Sequence, residues 1–351
     1  MKRYLLIYIV LTATGLGMAA TQGASLYNWE VQAIAGYHEG LTAEGLPQVN
    51  SIGGIYFQKF AGSSGDWAAI NLQFDLAWTG APLNVSNRLG TSLLVKYMDR
   101  PLLFRLHQAD FELKRLGAFT TLWVGHNRPA FGLNPVVDTH GTTWHTLAMQ
   151  NLGVEEDWGV GGNGYLGSTD YRFSLTTHSD MAIDDKGALA ALRWGFGDPT
   201  ETSTFWGVSA AGGFVQEHSW RQEFDPSWET RLGGDFRTNW GRLGIQVELV
   251  QGIPYTGGAS GFWLRLPFQI VPEVLTLSPQ YSMVEFLEMS LRDYLFDQSP
   301  TMLVENRQAQ LELEYKPISW LSMRLGEQHN QNPMMGEPEG YLTYLSLYIR
   351  R

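Results

Sequence analysis

The chain is expected to fold as an all-β transmembrane antiparallel β-barrel of about 16 strands, with 14 or 18 left open by blurred boundaries. Three observations lead there. Apolar residues recur at every second position in segments of about ten residues, each closed by Gly, Asn, Asp or Pro, the length a tilted strand needs to cross a bilayer. No run of about 20 apolar residues follows the N-terminus, so crossing as helices is not expected. Charged residues make up 17% of the 351 positions and aromatics 13%. Mean hydropathy is nonetheless only -0.16. A barrel dilutes its apolar content one in two, so near-neutral hydropathy is what it should show.

Taken in order, residues 1–24 read as a cleaved signal peptide. Lys2 and Arg3 supply positive charge, Tyr4 to Leu11 an apolar run, and Gly15, Gly17, Ala19, Ala20, Gly23 and Ala24 small residues near the cut. Cleavage after Ala19 fits best, with Ala20 and Ala24 open. Residues 25–351 then form one barrel, placed in the outer membrane of a Gram-negative bacterium. The chain has no Cys, which suits an exported protein. A formal net charge of -11 argues against a nucleic-acid partner. The expected partners are outer-membrane lipid, small solutes or ions, and, by analogy with other barrels of about this size, two further copies in a homotrimer. No cofactor is expected.

The first strand places Tyr27, Trp29, Val31, Ala33 and Ala35 toward lipid and Asn28, Glu30 and Gln32 inward. Ile55 and Phe57 mark the second. The third shows the alternation most cleanly, with Ala68, Ile70, Leu72, Phe74, Leu76 and Trp78 on one parity. Strands around Leu93 to Tyr97, Phe104 to Leu106, Ala109 to Leu113, Tyr171 to Leu175, Ala190 to Phe196 and Trp206 to Ala210 follow. Between Trp228 and Trp240, Leu232 and Phe236 oppose Arg231, Asp235 and Arg237. The series closes with Leu243 to Leu249, Phe262 to Leu266, Leu275 to Leu277, Ala309 to Tyr315, Leu321 to Leu325 and Leu345 to Ile349. Aromatics at strand ends, such as Trp29, Trp67, Trp194, Trp228, Trp240, Trp320 and Tyr341, suit interfacial girdles.

Two stretches break the rhythm. Residues 133–157 are long and mixed, and are expected to fold into the lumen, with Asp138, Glu155, Glu156 and Asp157 as constriction charges, or to form an ordinary outer loop. Val284, Leu287, Leu291 and Leu295 recur at helical spacing, which predicts a short helix over 284–296 at one mouth, or again a plain loop.

The stretch from Ala109 to Gly132 reads ADFELKRLGAFTTLWVGHNRPAFG. Asp110 and Glu112 form D-x-E on one strand. A second strand ends at Val124-Gly125, and Arg128-Pro129, Phe131 and Gly132 close a corner. Asp157-Trp158-Gly159-Val160 opens the next strand. Over about residues 109–167 this resembles the phosphate-selective porin O and P family, in which two strands lead into a G-x-x-x-P-F-G-like corner and the next strand begins R-D-x-G-V. Glu155 and Glu156 stand where the family has arginine. The resemblance implies an outer-membrane channel. The family's phosphate-specific members use a lysine cluster with an arginine ladder, and lysine is scarce here.

Parity places Arg105, Arg172, Arg193, Arg231, Arg237, Arg265 and Arg324 inward as candidate pore-lining cations, with Asp75 and Asp235 among the carboxylates. Opposed rows of this kind either select anions through arginine or set a transverse field and sieve by size. The expected function is passive diffusion of small hydrophilic solutes or ions, anions among them, with no catalysis. A barrel phospholipase or protease using one of His126, His140, His145, His178 and His218, and a closed adhesin, are the alternatives. His140 and His145 match no metal-ligand spacing. Asp180, Asp184 and Asp185 read as a solvated turn before a calcium loop.

Overall fold

The computed structural model describes residues 25–38, 48–62, 65–79, 92–93, 102–116, 119–137, 146–148, 152, 156–177, 187–197, 204–215, 218–219, 222–223, 227–253, 258–288, 302–331 and 340–350. The signal-peptide reading therefore falls outside the described residues, as do Asp138, His140, His145, Glu155, His178 and the Asp180–Asp185 turn.

Alternating side chains need hydrogen-bonded neighbours on both edges, and 16 strands supply them. They are β1 (Ser25–His38), β2 (Gln48–Gly62), β3 (Gly65–Thr79), β4 (Leu102–Leu116), β5 (Phe119–Asn127), β6 (Asp157–Leu166), β7 (Thr169–Thr176) and β8 (Ala188–Phe196). After these come β9 (Phe205–Val215), β10 (Ser227–Trp240), β11 (Leu243–Ile253), β12 (Ala259–Arg265, resuming at Phe268–Val271), β13 (Leu275–Glu288), β14 (Met302–Ile318), β15 (Leu321–Gln331) and β16 (Gly340–Arg350). Each pairs antiparallel with the next. β1 pairs with both β2 and β16, so the sheet closes and has no free edge.

The parity read from the sequence holds over most of the barrel, but on β2 the Phe57 parity is the inward one, opposite buried Asn71. Leu192, Val208, Leu232, Leu249, Leu311, Leu325 and Leu345 are each 50–67% exposed on the outer face. Arg193, Ser209, Arg231, Glu248, Glu312, Arg324 and Ser346 on the alternate positions are buried. An apolar belt of this extent around a polar interior suits hydrocarbon, not water. Trp29, Trp67, Trp194, Trp228, Trp240, Trp320 and Tyr341 are all exposed on it.

One expectation changes. Val284–Glu288 belongs to β13 and runs in register with β14 as far as Glu288↔Met302, so no helix begins at Val284. The helical spacing arose because Val284 sits on the inward parity yet is apolar, which interrupts the period of two. Residues 289–296 lie outside the described residues, as do 94–97 of the strand read over Leu93 to Tyr97, of which Ser92–Leu93 pairs with β4.

Gly125 is needed where β4 and β5 approach each other. Gly125 has φ +135°, and a Cβ there would lie 2.2 Å from the Ala109 carbonyl oxygen on β4. Gly125→Ala should therefore part β4 from β5 at this point and cost about 2–3 kcal/mol, read by urea unfolding in detergent micelles. Gly167 also has positive φ (62°) but faces open space. Gly167→Ala should cost only about 1 kcal/mol. Equal losses would refute the steric account of Gly125.

Candidate functional site: the barrel interior

The segment following β5 turns inward and is fastened to three strands. Ala130 N donates to Ser174 Oγ on β7 at 3.0 Å. Gly132 N donates to Ser209 Oγ on β9 at 3.0 Å, and Leu133 N to a Glu248 carboxylate oxygen on β11 at 2.9 Å. Gly132 is required: at φ +59° its added Cβ would lie 1.9 Å from Glu248 Oε1. Val136 N and Val137 N both donate to the Leu133 carbonyl, which coils the segment into one tight turn.

Apolar contacts hold the same segment down. Phe131, Leu133, Val137, Leu147 and Leu152 form one buried cluster with Leu189, Ala191, Phe205, Ala211, Val250, Ala259, Trp263 and Val284. The second group belongs to the inner face of β8, β9 and β11 to β13. One arc of the wall is thus greasy where a water-filled lumen would be polar, and the segment covers it. Gly261 makes room, since a Cβ there would meet Leu152 at 2.1 Å. The sequence carried a signal for this seat: Leu189, Ala191, Val250, Trp263 and Val284 are apolar on the inward parity.

The arginines divide into those sealed into the wall and those bordering open space. Arg193 on β8 is fully buried. Its Nε and Nη2 bond both Asp235 oxygens at 2.9 and 2.6 Å, and its Nη1 bonds Asp170 at 2.7 Å. Arg231 pairs with Glu229 at 2.9 Å, and Arg324 with Glu314 at 2.7 Å. Arg265 lies 4.0 Å from Glu312 and donates to Ser278. Arg237 lies on the inward parity of β10, opposite Phe205 and Gln246. Asp75 on β3 and Arg105 on β4 are partners in the strand register.

A cavity of about 480 Å³ lies between the inward segment and β3 to β7, bordered by Gln73, Gln108, Glu112, Arg128, Asn163 and Arg172, with Arg350 also on its wall. Arg172 donates through Nε to Asp170 at 2.8 Å and through Nη1 to the Pro135 carbonyl at 2.9 Å. Arg128 donates to the Val137 carbonyl at 2.6 Å and lies 3.9 Å from Glu156. Arg128, from the corner motif, thus borders the cavity.

Glu156 and Asp157 are buried where β6 begins. Glu156 also lies 3.5 Å from His107, and Asp157 accepts from Trp158 N and Thr177 Oγ1. His126 is fully buried, its ring centre 5.1 Å from that of Trp158.

No protein-family model matches the chain, and no curated protein is significantly similar to it. Solved structures do match in shape. OmpT, an outer membrane protein of Vibrio cholerae in trimer form, superposes with TM-score 0.61 at 12% identity, covering 94% of this chain and 99% of its own. The outer membrane channel DcaP of Acinetobacter baumannii matches at 0.57 and 10%, covering 94% and 97%. The anion-selective porin from Comamonas acidovorans matches at 0.56 and 10%, covering 94% and 99%. At these identities the likeness shows the fold: a closed 16-stranded outer-membrane-type barrel.

Proposed function

We propose that the protein is a porin of the Gram-negative outer membrane, passing small hydrophilic solutes by diffusion and carrying out no chemical turnover. One observation carries this: a closed barrel, apolar outside, encloses a cavity of about 480 Å³ bordered by arginine, amide and carboxylate side chains. A ligand-sized polar space inside a membrane-crossing wall is what a diffusion pathway requires. The resemblance over residues 109–167 and the likeness in fold to the Acinetobacter channel and the Comamonas porin support the same reading. The arginines bordering the cavity add preference for anions. A homotrimer is part of the proposal, supported by the trimer form of the Vibrio protein.

Planar-bilayer recording tests it. Purified protein should insert in discrete steps of stable conductance, with a reversal potential in a potassium chloride gradient that favours chloride. A folded, inserted barrel that never conducts would refute the porin reading.

A further inference from the structure

The cavity wall combines two chemistries that together describe a solute. The first is cationic. The side chains of Arg172 and Arg128 are 16% and 18% exposed, whereas their counter-carboxylates Asp170 and Glu156 are only 2% and 1% exposed. Each pair therefore turns its positive end toward the cavity and hides its negative end in the wall. Both guanidiniums are fixed by backbone carbonyls of the inward segment, Pro135 for Arg172 and Val137 for Arg128. Donors held in place lose little freedom when they bind an oxyanion.

The second chemistry is neutral. Gln73 and Gln108 sit directly opposite each other across β3 and β4, and Asn163 sits directly opposite Arg172 across β6 and β7. Side-chain amides both donate and accept, as hydroxyl groups do. Glu112, 3.6 Å from Lys114, adds an acceptor whose charge is offset.

We propose that this cavity is a selective subsite for a small carboxylate carrying several hydroxyl groups, a solute of the sugar-acid class. Arg128 and Arg172 receive the carboxylate, while Gln73, Gln108 and Asn163 receive the hydroxyls. The inference rests on the channel reading for its role but not for its binding. A monoanion fits better than inorganic phosphate because each arginine already shares its charge with a carboxylate, so little net positive charge remains for a dianion.

Calorimetry on detergent-folded protein tests binding without requiring conduction. Gluconate should bind about tenfold or more tightly than butyrate, which lacks hydroxyls, and than sorbitol, which lacks charge. Arg172→Gln should weaken gluconate and butyrate alike by about tenfold, with Arg172→Lys retaining part of the affinity. Gln73→Leu, which leaves the arginine anchors in place, should weaken gluconate several-fold and leave butyrate unchanged. Phosphate binding more tightly than gluconate, sorbitol matching gluconate, or variants without effect would each overturn the proposal. Gluconate should also reduce single-channel conductance in proportion to its occupancy. Arginine-dependent binding to a barrel that never conducts leaves the subsite standing and refutes the porin reading. An open channel indifferent to gluconate does the reverse.

Discussion

Arg193→Met should destabilise the barrel by about 3–5 kcal/mol, the range for removing one partner of a buried charge cluster. Arg193 is fully buried and binds Asp170 and both oxygens of Asp235, themselves 2% and 5% exposed. Methionine fills much of the volume but leaves two buried carboxylates that have lost their shared cation. The surroundings are shaped around the guanidinium. A Cβ at Gly207 would stand 2.5 Å from Arg193 Nη2, and one at Gly195 2.5 Å from Asp170 Oδ1. Adding Asp235→Asn to Arg193→Met should restore part of the loss by discharging one orphaned carboxylate. Urea unfolding in a single detergent gives the comparison. A loss below about 1 kcal/mol would mean that the three-residue cluster is solvated, contrary to its burial.

That cluster marks the boundary of what the sequence could reveal. Alternation alone assigned Arg193, Arg231 and Asp235 to the inner face, because side-chain direction depends only on parity. Partners depend on register, which no local pattern reports for strands joined by long connections. Register places Arg172 directly across from Arg193, a repulsive pairing unless carboxylates intervene. Asp170, two residues before Arg172, bonds both arginines. From sequence, these two were equivalent pore-lining cations. In the fold, Arg193 is sealed in the wall while Arg172 borders open space.

The inner apolar arc was missed for a different reason. Reading every strand as greasy outside and polar inside treats Leu189, Val250, Trp263 and Val284 as noise. They are the seat of the inward segment, and their clustering on neighbouring strands becomes visible only once those strands are paired. The 133–157 break was legible as an interruption of the repeat. Its anchors were not, because Ser174, Ser209 and Glu248 look like any other inward polar residues.

Replacing residues 131–152 by a short Gly-Ser linker should raise single-channel conductance by roughly two- to threefold, since current scales with open cross-section. The described part of this segment runs inside the barrel from Ser174 to Glu248, so its bulk stands in the path proposed for ions. Excision should have a second consequence that a passive surface loop would not. The apolar arc from Leu189 to Val284 would face water, and each large side chain there would lose about 1.5–3 kcal/mol of burial. The shortened barrel should therefore bind an apolar fluorescent dye and unfold at lower urea. Gly132→Val separates the latch from the bulk. It adds a side chain where Glu248 Oε1 stands, loosening the attachment while keeping the segment. That variant should show noisy conductance between the native and excised levels. If excision leaves conductance unchanged, the segment does not bound the pathway, and ions pass on the other side of the lumen.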